Sequence, residues 1–84
     1  MLDVKQAAQK AFDYFAALYP EFLSVQLEEV ELTENGEYWL ITLSYPSSGL
    51  AEILGRGVGP KEYKVFRIDA NTGEVKSMKI RKVS

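Results

Sequence analysis

Asn35-Gly36 lies between two runs that alternate apolar and polar residues, "VQLEEVEL" before it and "EYWLITLSY" after it. Both central residues of a two-residue type I′ turn need positive φ, and Asn-Gly supplies them most readily. The spacing therefore predicts a hairpin with a fixed register. Thr33 faces Tyr38, Leu32 faces Trp39, Glu31 faces Leu40 and Val30 faces Ile41. Leu32, Trp39, Val30 and Ile41 then share one face, as a core requires. Upstream the alternation slips, since Val25 and Leu27 are odd and Val30 and Leu32 even. A bulge near Glu28-Glu29 accounts for the slip.

"EYKVFRIDANTGEVKSMKIRKV" predicts a second hairpin. Its turn is "ANTG", a type I turn with Gly73 in the left-handed position. That register sets Phe66 opposite Met78, Lys64 opposite Ile80 and Ile68 opposite Lys76. Ahead of both hairpins, "DVKQAAQKAFDYFAALYP" carries Val4, Ala8, Ala11, Phe15 and Leu18 at helical spacing, widened by Phe12 and Tyr19. Asp3 and Gln6 form a capping box, and Pro20 ends the helix because the residue before a proline is pushed from helical dihedrals.

The fold class expected is α+β, with one N-terminal helix packed on a four-stranded antiparallel sheet made of two consecutive hairpins. Eighty-four residues suffice for one domain, 1–84, with a modest core. The helix covers one sheet face. The other face carries Tyr38, Leu40, Tyr63, Val65, Arg67 and Lys79.

Two missing residue types narrow the chemistry. With no cysteine there is no disulfide framework or thiolate, and with no histidine the usual general base near neutral pH is lost. Ser-His-Asp and Cys-His catalysis fall away, as do His-bearing zinc sites. The glutamates at 28, 29, 31, 34 and 37 alternate with core positions as a solvated strand does, which argues against a carboxylate pair in a cleft. No enzyme activity, metal or cofactor is expected. No apolar run reaches the ~20 residues of a membrane span. The N-terminus lacks the pattern of a signal peptide, so cytoplasmic is the simpler expectation, although an exported form trimmed of its signal also fits.

Charge is divided along the chain. Residues 1–54 hold nine acids and two bases, a balance of −7, and residues 55–84 hold eight bases and three acids, a balance of +5. The plainer consequence is that acidic and basic strands neutralise each other within one sheet. If both lie at sheet edges, they also offer a route to pairing between two copies.

The connection 46–60 is long for a link between strands, and long loops are commonly functional or disordered. Leu50, Ile53 and Leu54, with Val58, make an apolar cluster that either folds back on the sheet or meets a partner. "GRGVGP" lacks the Lys-Ser/Thr and the following helix of a phosphate-binding loop, which leaves only Arg56 and the Gly57 amide as an anion site. "DANTGE" places glycine one position early for a calcium loop. The basic second hairpin interleaves Tyr63 and Phe66 with cations, as single-strand binders do, but Phe66 is needed in the core and a pI of about 5.1 argues against nucleic acid.

"VFRIDANTGEV", from Val65 to Val75, resembles the ending of PepSY-type domains, where a strand ends in Asp and a TGE turn leads into the next strand. Those domains pack a helix on an antiparallel sheet in the manner of cystatin-like folds. "EYWLITL", "GVGP" and "DANTGEV" are also similar to features of small bacterial immunity-type proteins. The resemblance implies a non-catalytic protein-binding or inhibitory module, with Asp69, Thr72, Gly73 and Glu74 in a structural turn. The chain departs from the pattern in showing no membrane or peptidase region and in its longer 46–60 link.

The expectation is thus a module that binds another protein through Leu50, Ile53, Leu54 and Val58 of the loop and through Tyr38, Leu40, Tyr63 and Val65 of the open sheet face. The alternatives are a small-anion or nucleotide binder using Arg56 and Gly57, and a single-strand nucleic-acid binder using the basic hairpin.

Overall fold

A computed structural model describes residues 1–46 and 61–82. Helix α1 (Val4–Leu18) is followed by strands β1 (Gln26–Leu32), β2 (Tyr38–Pro46), β3 (Lys61–Asp69) and β4 (Val75–Arg81). The strands form one antiparallel sheet in the order β1-β2-β3-β4. This is the α+β architecture expected, with the helix on one face.

The helix starts as its capping box dictates. The Asp3 carboxylate accepts from the Gln6 N–H, and the Gln6 side chain accepts from the Asp3 N–H, both at 2.9 Å. It ends at Leu18, one residue before the Tyr19-Pro20 step, where Tyr19 leaves helical dihedrals. Its contact with the sheet is carried by Ala7, Ala8, Ala11 and Phe15. Alanines there allow close approach, and Ala7 replaces two residues expected in the core. Val4 and Leu18 stay exposed because the helix meets the sheet with its middle turns.

Phe15 sits against Ile41, Leu43, Tyr45, Phe66 and Ile68 in the buried core. Its ring lies 4.9 Å from Tyr45 and 5.1 Å from Tyr19, with Phe22 completing an aromatic group at the helix C-terminus. Lys64, on the same sheet face, places its ammonium 5.8 Å from the Tyr19 ring centre and 5.9 Å from that of Tyr45. Cation–π attraction lets a charged residue close the end of this core row.

The first hairpin has the expected register, with Leu32 opposite Trp39, Glu31 opposite Leu40 and Val30 opposite Ile41, and a bulge between Leu27 and Glu29. Its turn is not type I′. Gly36 takes φ +72° but Asn35 does not take positive φ. Instead the Asn35 carboxamide oxygen accepts from the Glu37 N–H at 3.0 Å and the Thr33 hydroxyl at 2.7 Å. Side-chain closure of this kind is the alternative open to Asn in turns.

The second hairpin has Phe66 opposite Met78 and Lys64 opposite Ile80, as expected, but Ile68 faces Val75 rather than Lys76. The Asp69 N–H donates to the Glu74 carbonyl at 2.9 Å, closing a loop of residues 70–73, and Lys76 becomes the extra residue of a bulge. The bulge turns Val75, not Lys76, toward the core. Gly73 takes φ +78°, the left-handed position expected.

Candidate functional site

Strand register alone defines the face away from the helix. Glu31, Leu40, Arg67 and Ser77 form one row across it, and Glu29, Thr42, Val65 and Lys79 the next. Ser44, Tyr63 and Arg81 form a third, and Tyr38 lies beyond the first. The structure therefore brings together Tyr38, Leu40, Tyr63 and Val65, four of the residues expected to meet a partner. All four are half-buried. Leu50, Ile53, Leu54, Val58, Arg56 and Gly57 lie outside the described residues.

Charge on this face is sorted by strand. Glu28, Glu29 and Glu31 come from β1, while Lys61 and Arg67 come from β3 and Lys79 and Arg81 from β4. Part of it is neutralised within the sheet. Arg81 reaches back from β4 to donate to the Thr42 hydroxyl on β2 at 3.0 Å and to ion-pair with Glu29 on β1. With strands ~4.8 Å apart, that side chain lies over most of the sheet's width. At the end near Pro46, the Ser44 hydroxyl donates to Glu28 at 2.6 Å, and Lys61 donates to the Gln26 side chain at 3.1 Å with Glu28 at 4.0 Å. These long side chains close over Thr42 and Ser44, which are 3% and 1% exposed although they point away from the helix. The division of charge along the sequence signalled such pairing, but not which cation would span the sheet.

Arg67 is held differently. Its guanidinium stacks on the Tyr38 ring at 4.1 Å from the ring centre. Between this pair and Arg81 lies a shallow depression of about 240 Å³ lined by Glu29, Glu31, Leu40, Thr42, Val65 and Arg81. Its volume is below the range of ~300–1,000 Å³ usual for small-ligand sites. A second depression of about 380 Å³ lies at the sheet end, between Tyr45, Lys61, Glu62, Tyr63 and Ile80. Ile80 is 73% exposed there. Burial, then the Glu62 carboxylate that accepts its hydroxyl, push the Tyr45 phenol up to about 12.

Among the described residues no group of three Asp or Glu side chains is placed to hold a metal ion. Among them, too, no helix is long and apolar enough to cross a membrane. No protein-family model, curated protein or solved structure matches the chain.

Proposed function

We propose that this chain is a small non-catalytic binding module whose open sheet face docks against another protein. One observation carries the reading. The half-exposed stripe of Tyr38, Leu40, Val65 and Tyr63 crosses the face that α1 does not cover, between an acidic and a basic strand. A solvated sheet face is ordinarily polar along its length. Aromatic and aliphatic side chains interleaved with arginine, here Arg67 on Tyr38 and Arg81 across Thr42, are instead a composition favoured at protein contacts. The type of module agrees with what the PepSY resemblance implies.

The nucleic-acid reading is weaker on two counts. Phe66 is fully buried, and Arg81 and Lys61 are engaged by Glu29 and Glu28. The test is affinity capture from a lysate treated with nuclease, with the wild-type chain and a Leu40→Asp, Val65→Asp variant as baits. Circular dichroism would first establish that the variant is folded. A protein held by the wild type and lost by the variant supports the reading. A partner held equally by both removes this face from it.

A further inference from the structure

We infer that the outer edge of β4 is a second docking site, which takes an extended acidic segment of a partner protein as a fifth strand of the sheet. This site stands apart from the open face and does not depend on it.

β4 is the last strand in the sheet, so one side of its backbone has no partner strand among the described residues. A row of unpaired N–H and C=O groups is a template for an added strand. The bulges decide which edge offers the longer template. β1 is interrupted in its middle, between Leu27 and Glu29. β4 is interrupted only near its start, at Lys76, and the five residues from Ser77 to Arg81 run in unbroken register with β3. That is the length of an ordinary short strand.

The residues flanking this edge determine the chemistry of its occupant. Met78 and Ile80 stand on the helix side, opposite Phe66 and Lys64. α1 leaves Ile80 73% exposed, and Tyr14 of the helix, edge-on to Phe66, is itself 41% exposed. Ile80 also lines the depression of about 380 Å³ at the sheet end, which offers room for an apolar side chain laid beside it.

Ser77, Lys79 and Arg81 stand on the other side. Arg81 is committed to Glu29 across the sheet, and Lys76 to Glu74. Lys79, and Lys82 just past the strand, are exposed and form no ion pair among the described residues. From Val75 to Lys82 the chain has no acidic residue. Lysines at an edge oppose pairing with a second β4 and favour a strand of opposite charge. Side chains of an added strand alternate between the two sides. The fitting segment therefore sets apolar residues beside Met78 and Ile80 and an aspartate or glutamate beside Lys79.

The probe is a terminally blocked heptapeptide of alternating valine and glutamate, titrated into the isotope-labelled full chain at low salt. A dissociation constant on the order of 0.1–1 mM is expected, with NMR shifts concentrated at the amides of Ser77 to Lys82. A peptide of alternating valine and lysine should bind at least about tenfold more weakly. Along a strand, N–H groups of alternate residues point to the same side. Methylating one set of peptide nitrogens, those of the valines or those of the glutamates, should abolish binding, and methylating the other set should not. Lys79→Glu should weaken binding about tenfold and Ile80→Ser about threefold. Both positions are exposed, so neither change disturbs the core.

No binding up to about 2 mM overturns the inference. Binding indifferent to both methylated sets, or to both substitutions, overturns it as well. Leu40→Asp, on the open face, should leave the peptide's affinity unchanged. If that variant loses the peptide, the peptide lies on the open face, and the edge site falls while the reading of the face stands. If the edge binds the peptide but capture does not depend on Leu40 and Val65, the edge site stands and only the face is removed.

Discussion

The Trp39 indole N–H donates to the Leu2 carbonyl at 3.1 Å, so a residue of the second strand holds the start of the chain. Leu2 is bound a second time, its own N–H donating to the Ala70 carbonyl at 2.7 Å. Ala70 in turn donates its N–H to the Glu37 carbonyl at 2.9 Å. Two turns and the N-terminus thus form one hydrogen-bonded unit at one end of the sheet, just ahead of the capping box. Trp39→Phe keeps most of the packing and removes the donor. It should cost about 1–2 kcal/mol of stability by chemical denaturation, and amide exchange at Leu2 should quicken with it.

The two turn glycines differ in what surrounds them. A Cβ on Gly36 would meet nothing within 4 Å, whereas one on Gly73 would approach Leu2 Cδ2 and Lys10 Cε at 3.1 Å each. Both glycines have positive φ. Gly36→Ala should therefore show the backbone term alone, about 1–2 kcal/mol. Gly73→Ala adds displacement of the chain start from the turn, and its denaturation midpoint should fall further than that of Gly36→Ala. Equal losses would mean that Leu2 and Lys10 yield freely.

Much of this end of the molecule was legible in the sequence. Asp3-Gln6, Tyr19-Pro20 and the glycine turns act through neighbours in the chain, so their effects follow from local rules. The register of Leu32 with Trp39 followed from the turn even though Asn35 closes it through its side chain. What was not legible depends on side chains meeting across the sheet. The sequence gives no sign that Arg81 would reach Thr42, or that Lys64 would find the rings of Tyr19 and Tyr45. The bulge at Lys76 escaped for a related reason. Alternation alone does not say whether a loop closes at Asp69 and Glu74 or one residue further out. For the candidate site, alternation placed Tyr38, Leu40, Tyr63 and Val65 on one face, while the edge positions of β1 and β4 came only with strand order.

Asp69 gives the second turn a dependence on acid. One of its carboxylate oxygens accepts from the Asn71 N–H at 2.8 Å and the Thr72 N–H at 2.9 Å. The Thr72 N–H first, and then that of Asn71, hold this carboxyl below the ordinary aspartate range. A lowered folded pKa means that the unfolded chain takes up the proton first as pH falls. The stabilisation is complete well above the unfolded value of about 3.9 and is lost as pH falls through the folded one. Asp69→Asn should remove that part of the acid slope in denaturation midpoints measured between neutral pH and the acid limb. Carboxyl-carbon NMR titration should show Asp69 ionising below a free aspartate, and a normal titration there would contradict the assignment.

Tyr45 sets the opposite limb. Burial beside Phe15 and Phe22, then the charge of Glu62 and its acceptance of the phenol hydrogen, raise this group to about 12. For an acid whose folded pKa is raised, the unfolded chain loses its proton first as pH rises. The contribution is therefore fully present below the unfolded value of about 10 and declines as pH climbs from there toward the folded value. Absorbance titration of the five tyrosines should show a late phenol that disappears in Tyr45→Phe. Glu62→Gln removes the negative charge but leaves the burial, so it should move that late ionisation part of the way down. In Tyr45→Phe, stability should lose the corresponding share of its decline above about pH 10. If Tyr45→Phe removes only a phenol that ionises in the ordinary tyrosine range, the Tyr45 hydroxyl is open to solvent, detached from the ring cluster around Phe15.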